Sequence, residues 1–236
     1  MTDKPLAHRL AIVTGASRGI GAATAIALGK AGAHVVLTAR TIGGLEEVEE
    51  AIYQAGGSAT IAPLDLAEGD SVAKLADAVA GRWPALDILV LNAATLGTLS
   101  PVPSIDQKEF ARLMTLNVGA QAAMIAAFDP LLRNSEGGKV IGLTSSVGAG
   151  PRAYWGAYGA SKAALEALLL SYAEEMRNIS SVRVAIVDPG ATATAMRAKA
   201  FPGEDPTTLK SPDVVADTIA KLAIAGFETG HRYRVE

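Results

Sequence analysis

Candidate strands recur along the chain at 10–14, 33–38, 58–62, 87–91, 138–144, 181–187 and 231–235, most of them short apolar runs rich in β-branched residues. Apolar runs of this length, without polar alternation, read as strands buried on both faces. Between them lie longer segments at 19–31, 43–55, 69–81, 106–132, 155–177 and 212–225 that read as helices. Alternation of strand and helix predicts an α/β domain, with a doubly wound parallel sheet of about seven strands and helices on both faces. Crossovers in such a sheet are right-handed, and ligands bind outside the C-terminal ends of the strands. No composition shift or low-complexity stretch divides the chain, so residues 1–236 read as one domain. One irregular segment, 191–211, holds Pro202-Gly203-Glu204-Asp205-Pro206. A connection of that length in a compact domain reads as a lid or binding loop.

Composition narrows the function classes. Half of the 236 residues are hydrophobic, enough for a substantial core. The net charge of −3 and the lack of a basic run argue against a nucleic-acid partner. No apolar stretch approaches the ~18 residues of a membrane span. Met1-Thr2-Asp3-Lys4-Pro5 offers no hydrophobic signal region, so a cytoplasmic location is expected. Without cysteine there is neither a disulfide nor a thiolate metal site, and His8, His34 and His231 are too scattered to suggest a metal.

Two segments carry chemistry. The predicted strand 10–14 runs into Gly15-Ala16-Ser17-Arg18-Gly19-Ile20-Gly21 and then into an Ala-rich helix. A glycine turn between strand and helix offers backbone N–H groups and a helix N-terminus to a phosphate. Much later come Tyr158 and Lys162, four apart on a predicted helix and therefore on one face. An ammonium beside a phenol is expected to lower its pKa from about 10 toward neutrality, where acid/base catalysis is effective. The second strand, His34-Val35-Val36-Leu37-Thr38, runs into Ala39-Arg40 without the acid that would hold a ribose 2′-hydroxyl. Arg40, with Arg18 in the turn, offers a charged fork to a 2′-phosphate, which favours NADP(H) over NAD(H).

Together these segments resemble the short-chain dehydrogenase/reductase family over nearly the whole chain, in the family's order. Thr14-Gly15-Ala16-Ser17-Arg18-Gly19-Ile20-Gly21 is similar to its T-G-x-x-x-G-x-G cofactor motif, and Tyr158-x-x-x-Lys162 to its Y-x-x-x-K catalytic motif. The resemblance implies a Rossmann-type fold and further site residues. Asp65-Leu66 stands where the family contacts adenine, and Asn92-Ala93 in its N-N-A-G segment. Asn117 stands at the place of a relay asparagine, and Ser145 at that of the catalytic serine. Pro189-Gly190, with Thr192 and Thr194, matches its P-G-x-x-x-T stretch beside the nicotinamide. Leu91, Ala94 and Thr192 depart from the family pattern.

The implied reaction is hydride transfer between NADP(H) and a carbonyl/alcohol carbon of a small molecule. Tyr158 is the acid/base, and Lys162 lowers its pKa and holds the nicotinamide ribose. Ser145 holds the substrate oxygen, and Asn117 positions a relay water. A 3-oxoacyl thioester is one possible substrate class, while a non-catalytic NADP(H) sensor is the rival reading. The resemblance further implies a homotetramer or homodimer, the helices near 106–132 and 155–177 packing across a two-fold. Tyr154, Trp155, Arg197 and Lys199 are candidates for the substrate pocket or its lid.

Overall fold

A computed structural model describes residues 4–236, so part of the N-terminal segment read as lacking a signal, Met1–Asp3, lies outside the described residues. Seven parallel strands form one sheet in the order β3-β2-β1-β4-β5-β6-β7. They are β1 (Leu10–Thr14), β2 (His34–Ala39), β3 (Ser58–Pro63), β4 (Ile88–Leu91), β5 (Lys139–Leu143), β6 (Arg183–Asp188) and β7 (His231–Arg234). The helices are α1 (Gly19–Lys30), α2 (Ile42–Gln54), α3 (Ser71–Ala80), α4 (Gln107–Met114), α5 (Ala120–Asn134), α6 (Ser146–Ala149), α7 (Gly156–Met176), α8 (Ala195–Ala200) and α9 (Pro212–Ala225). This is the doubly wound, Rossmann-type arrangement that the alternating pattern predicts.

The strands separate two cores because successive side chains leave a strand on opposite faces. Leu10 and Ile12 of β1 join the core beneath α3, α5 and α7, where Leu75, Phe128 and Leu169 are buried. Ala11 and Val13 join the other, beneath α1, α2 and α9, with Leu28, Ile52 and Ile219. Burial on both faces explains why most of the strands lack polar alternation. It also makes register strict, since a slip by one residue would exchange the two cores.

Two segments differ from expectation. The helix expected over 106–132 is interrupted by a π-helical turn at Thr115–Gly119, between α4 and α5. Asn117 sits in this turn, fully buried, and its side chain reaches outward from the helix to the chain after β4. The segment 191–211 is more ordered than its proline and glycine content suggested. Thr194 caps α8 by accepting from the Arg197 N–H, and Thr192 bridges to Lys210. Strand order reverses between β1 and β4, which opens a crevice at their C-terminal ends.

Candidate active site

The glycine turn lies in that crevice. Gly15 and Gly19 have φ of +64° and +57°, in the left-handed region that favours glycine. A Cβ at Gly21 would collide with the Gly15 carbonyl oxygen, so glycine is required there for close approach of the backbone. The turn is fixed from beneath. Thr14 Oγ1 donates to the Val90 carbonyl at 3.2 Å and accepts from the Asn92 and Ala93 N–H groups at 2.9 and 3.0 Å. Asn92 Nδ2 donates to the Thr14 and Gly15 carbonyls at 2.8 and 3.2 Å. Thr14 and Asn92 thus act as a clasp across the β1/β4 seam.

A groove of about 730 Å³ runs from this turn toward α7. Gly15, Ser17, Arg18, Gly19 and Ile20 line one end, beside Arg40, Asp65 and Leu66. Asn92 and Ala93 lie midway, and Tyr158, Lys162, Pro189 and Thr194 at the other end. The groove fits a dinucleotide. α1 begins with no acidic side chain and no side-chain cap, so its N-terminus is open to an anion. Arg40 is 72% exposed at the rim, 3.7 Å from Asp65, and no carboxylate replaces it at the end of β2.

Tyr158 and Lys162 project from one face of α7, as their spacing predicts, and both are buried. Lys162 Nζ donates to the Leu143 carbonyl at 2.9 Å and lies 5.7 Å from the Tyr158 ring centroid. Burial pushes the Lys162 ammonium down to about 8, and the Glu166 carboxylate one turn further along α7 opposes the shift. The expectation for Tyr158 is reversed in this structure. Burial holds its phenol well above the ordinary range, and the charge of Asp188 adds to the effect. Proximity to Lys162 does not offset the loss of solvation.

The predicted serine lines a neighbouring cavity. Ser145 precedes α6 and lines a second cavity of about 520 Å³, while Tyr158 lines the groove. The α8 side chain Met196 sits at this junction, its sulfur 3.8 Å from Tyr158 Oη. Asn117 is committed to structure. Its Oδ1 accepts from the Thr95 N–H at 2.8 Å, and Nδ2 donates to the Thr95 carbonyl at 2.9 Å and to Ser161 Oγ at 3.0 Å. Gly190 lines the second cavity, and Thr192 is buried with its hydroxyl donating to the Pro189 carbonyl at 3.0 Å. Thr14 and Gly21 support the groove from below rather than line it.

Residue spacing missed a charged network behind the site. Glu166 accepts from the Thr144 hydroxyl and faces Arg232 Nε at 3.4 Å. Arg232 also donates to Asp188 at 3.2 Å and to the Ser145 carbonyl at 3.4 Å. Glu166 stands four residues after Lys162, a visible signal, whereas Arg232 arrives from β7 and only the fold could reveal it.

Comparison with known proteins identifies relatives of this fold. Residues 9–205 match the family model for short chain dehydrogenase. The uncharacterized oxidoreductase YciK of Escherichia coli K12 is 38% identical over 210 residues, covering 88% of this chain and 82% of that protein. A short chain dehydrogenase structure from Escherichia coli CFT073 in complex with NADPH superposes with a TM-score of 0.94 at 35% identity, covering 100% of both chains. One from Shigella flexneri 2a str. 301 in complex with NADP gives a TM-score of 0.94 at 34% identity, covering 99% of each chain.

Proposed function

The chain belongs to the short-chain dehydrogenase family, and from that premise we propose that it interconverts a small-molecule carbonyl and its alcohol with NADP(H), Tyr158 serving as acid/base. The observation that carries this reading is the shared groove, which has the glycine turn and Arg40 at one end and Tyr158 and Lys162 at the other. NADPH and NADP in the two superposed relatives support the choice of cofactor.

Arg40 and Arg18 would hold the 2′-phosphate, the turn at Gly15–Gly21 the pyrophosphate, and Asp65 and Leu66 the adenine. Asn92, Ala93, Lys162, Pro189 and Thr194 would flank the nicotinamide half. Bound there, the reduced cofactor supplies the hydride for a carbonyl carbon. The chain's own residues manage the proton and the developing charge. Tyr158 is protonated at neutral pH in this structure, so it is stocked as an acid, ready to give its proton to the substrate oxygen. Ser145 donates a hydrogen bond to the same oxygen as charge develops on it. For both to reach one oxygen, Met196 must leave the Tyr158 hydroxyl, which gives the lid segment 191–211 a part in substrate entry. Lys162 remains cationic under Glu166 and favours the phenolate once the proton has gone. Asn117 holds Ser161 and Thr95 in place beside Lys162, and we assign reprotonation of Tyr158 to a water on that side.

The test is NADPH oxidation against ketones, diketones, quinones and acyl thioesters, with Tyr158→Phe as the control. Turnover that disappears in the variant supports the reading. Tight NADPH binding with turnover surviving in Tyr158→Phe would overturn the assignment of the acid.

A further inference from the structure

The second cavity, about 520 Å³, lies within the range of small-molecule sites and has Ser145 on its wall. Its charge is unusual for a carbonyl pocket. Among the described residues, Arg152, Arg197 and Arg234 all line it, against the single carboxylate of Asp188. Asp188 is already satisfied, since its side chain is 1% exposed, accepts from the Gly190 N–H at 3.1 Å and pairs with Arg232 at 3.2 Å. Arg197 is also spoken for. Its Nε and Nη2 pair with the two oxygens of Glu204, both at 2.5 Å. Arg152 and Arg234 remain, and among the described residues neither has a carboxylate within 4.0 Å.

The wall beside Arg152 and Arg197 is aromatic. Arg152 lies over the Trp155 ring at 5.6 Å, Trp155 and Phe201 stand 5.7 Å apart, and Arg197 covers Phe201 at 3.8 Å. Stacking fixes the plane of a guanidinium while its N–H edge remains free to donate. Such an edge matches the paired oxygens of a carboxylate or phosphate. A cavity with two uncommitted guanidinium groups and the proposed oxygen-binding serine is built for a molecule with an anion at one end and a carbonyl at the other.

We propose that the substrate carries an oxyanionic group, carboxylate or phosphate, held by Arg152 and Arg234 while its carbonyl oxygen meets Ser145 and Tyr158. The inference rests on the carbonyl-reductase reading for the placement of that oxygen, and the anion site itself can be tested without turnover.

The chain has two tryptophans, so Trp83→Phe leaves Trp155 as the sole indole reporter in the cavity wall. Protein carrying this change and saturated with NADP+ is titrated with benzoate, phenyl phosphate and the neutral isostere benzamide. Saturable quenching by either anion, at least tenfold tighter than by benzamide, is expected, and the stronger anion identifies the group. Arg152→Gln with Arg234→Gln should abolish the difference; both side chains are exposed, so the fold is retained. Equal binding of anions and benzamide, or a preference that survives the double change, overturns the proposal. NADPH oxidation with a keto acid and its methyl ester separates the two readings. An acid preference that the double variant loses supports the anion site, whereas an ester reduced as well as the acid overturns it and leaves the reductase reading intact. Anion binding abolished in the double variant, without turnover of either ketone, upholds the anion site and locates the failure in the reductase reading.

Discussion

The Tyr158 hydroxyl donates toward the Met196 sulfur at 3.8 Å, and among the described residues it has no oxygen partner. A thioether is a weak acceptor, so the phenol is held by a contact that a substrate oxygen can displace at little cost. Removing the hydroxyl therefore disturbs the resting protein very little. Tyr158→Phe is expected to keep or slightly raise the melting temperature while lowering kcat by roughly 10²–10⁴-fold. Circular dichroism melts and NADPH oxidation check the two halves. A large loss of stability would mean that the hydroxyl has a structural partner.

Burial of the Lys162 ammonium sets the sign of an expected pH dependence. Its folded value is about 8, below the ordinary value of about 10.4 in an unfolded chain. Between those values the unfolded chain binds more protons, so stability rises with pH across that window. Below it, the full penalty of the buried ammonium is present. Lys162→Met removes the penalty, while Glu166 stays paired with Thr144 and Arg232. The cofactor-free variant should melt above the parent at pH 7, by a margin that shrinks toward pH 10. A margin that grows with pH would contradict the burial argument.

Arg40 is exposed and, among the described residues, is tied only to Asp65, at 3.7 Å, a pairing of little energetic weight. Its value lies in the charge it presents at the groove. Arg40→Gln should raise the Kd of NADPH about 10–100-fold, the equivalent of one or two charge-assisted hydrogen bonds, and leave that of NADH nearly unchanged. Fluorescence titration with both nucleotides measures the ratio. A parallel loss for both would place the 2′-phosphate elsewhere, with Arg18 the next candidate.

Asn117 separates structural from catalytic duty. Replacing it with Ala leaves the Thr95 N–H and carbonyl without their partner and opens a fully buried site. Loss of about 2–4 kcal/mol is expected from such unpaired groups, read as a lower denaturant midpoint without cofactor. Unchanged stability alongside lost activity would show that the side chain serves the reaction alone.

The two glycines Gly21 and Gly43 should respond oppositely. A methyl group at Gly21 meets the Gly15 carbonyl, whereas one at Gly43, in α2, meets nothing within 4 Å. Gly21→Ala should weaken NADPH binding at least tenfold, as overpacking of about 1–3 kcal/mol deforms the turn. Gly43→Ala should raise stability by roughly 0.5–1 kcal/mol through helix propensity. Titration and melting of the pair provide the comparison.

The fold was legible because strands buried on both faces leave continuous apolar runs, and because glycine and proline punctuate the connections. The expected and observed bounds of β1 and α9 coincide at 10–14 and 212–225. The π-helical turn was not legible: Thr115-Leu116-Asn117-Val118-Gly119 is rich in weak helix formers, but nothing in that composition distinguishes a π turn, and the bond from the Thr95 N–H to Asn117 joins segments 22 residues apart. In the site, motif spacing brought Tyr158, Lys162, Arg40 and the glycine turn to one groove. It could not show that burial would outweigh Lys162 at the phenol, nor that Arg232 would reach Ser145 from the far end of the chain. Both depend on packing between segments distant in sequence.

The clasp of Thr14 and Asn92 across the β1/β4 seam has a consequence for how such an enzyme can change. The groove residues proposed to meet the nucleotide's adenine half, Arg18, Arg40 and Asp65, come from the β1–β3 half of the sheet, whereas Ser145, Tyr158 and the arginine-lined cavity come from the β5–β7 half. The two proposed specificities thus draw largely on separate stretches of chain, which meet along the β1/β4 ladder and in the packing of α1 on α9. Selection can exchange one nucleotide for another, or one substrate for another, without disturbing the opposite half, provided that Thr14 and Asn92 keep the halves in register.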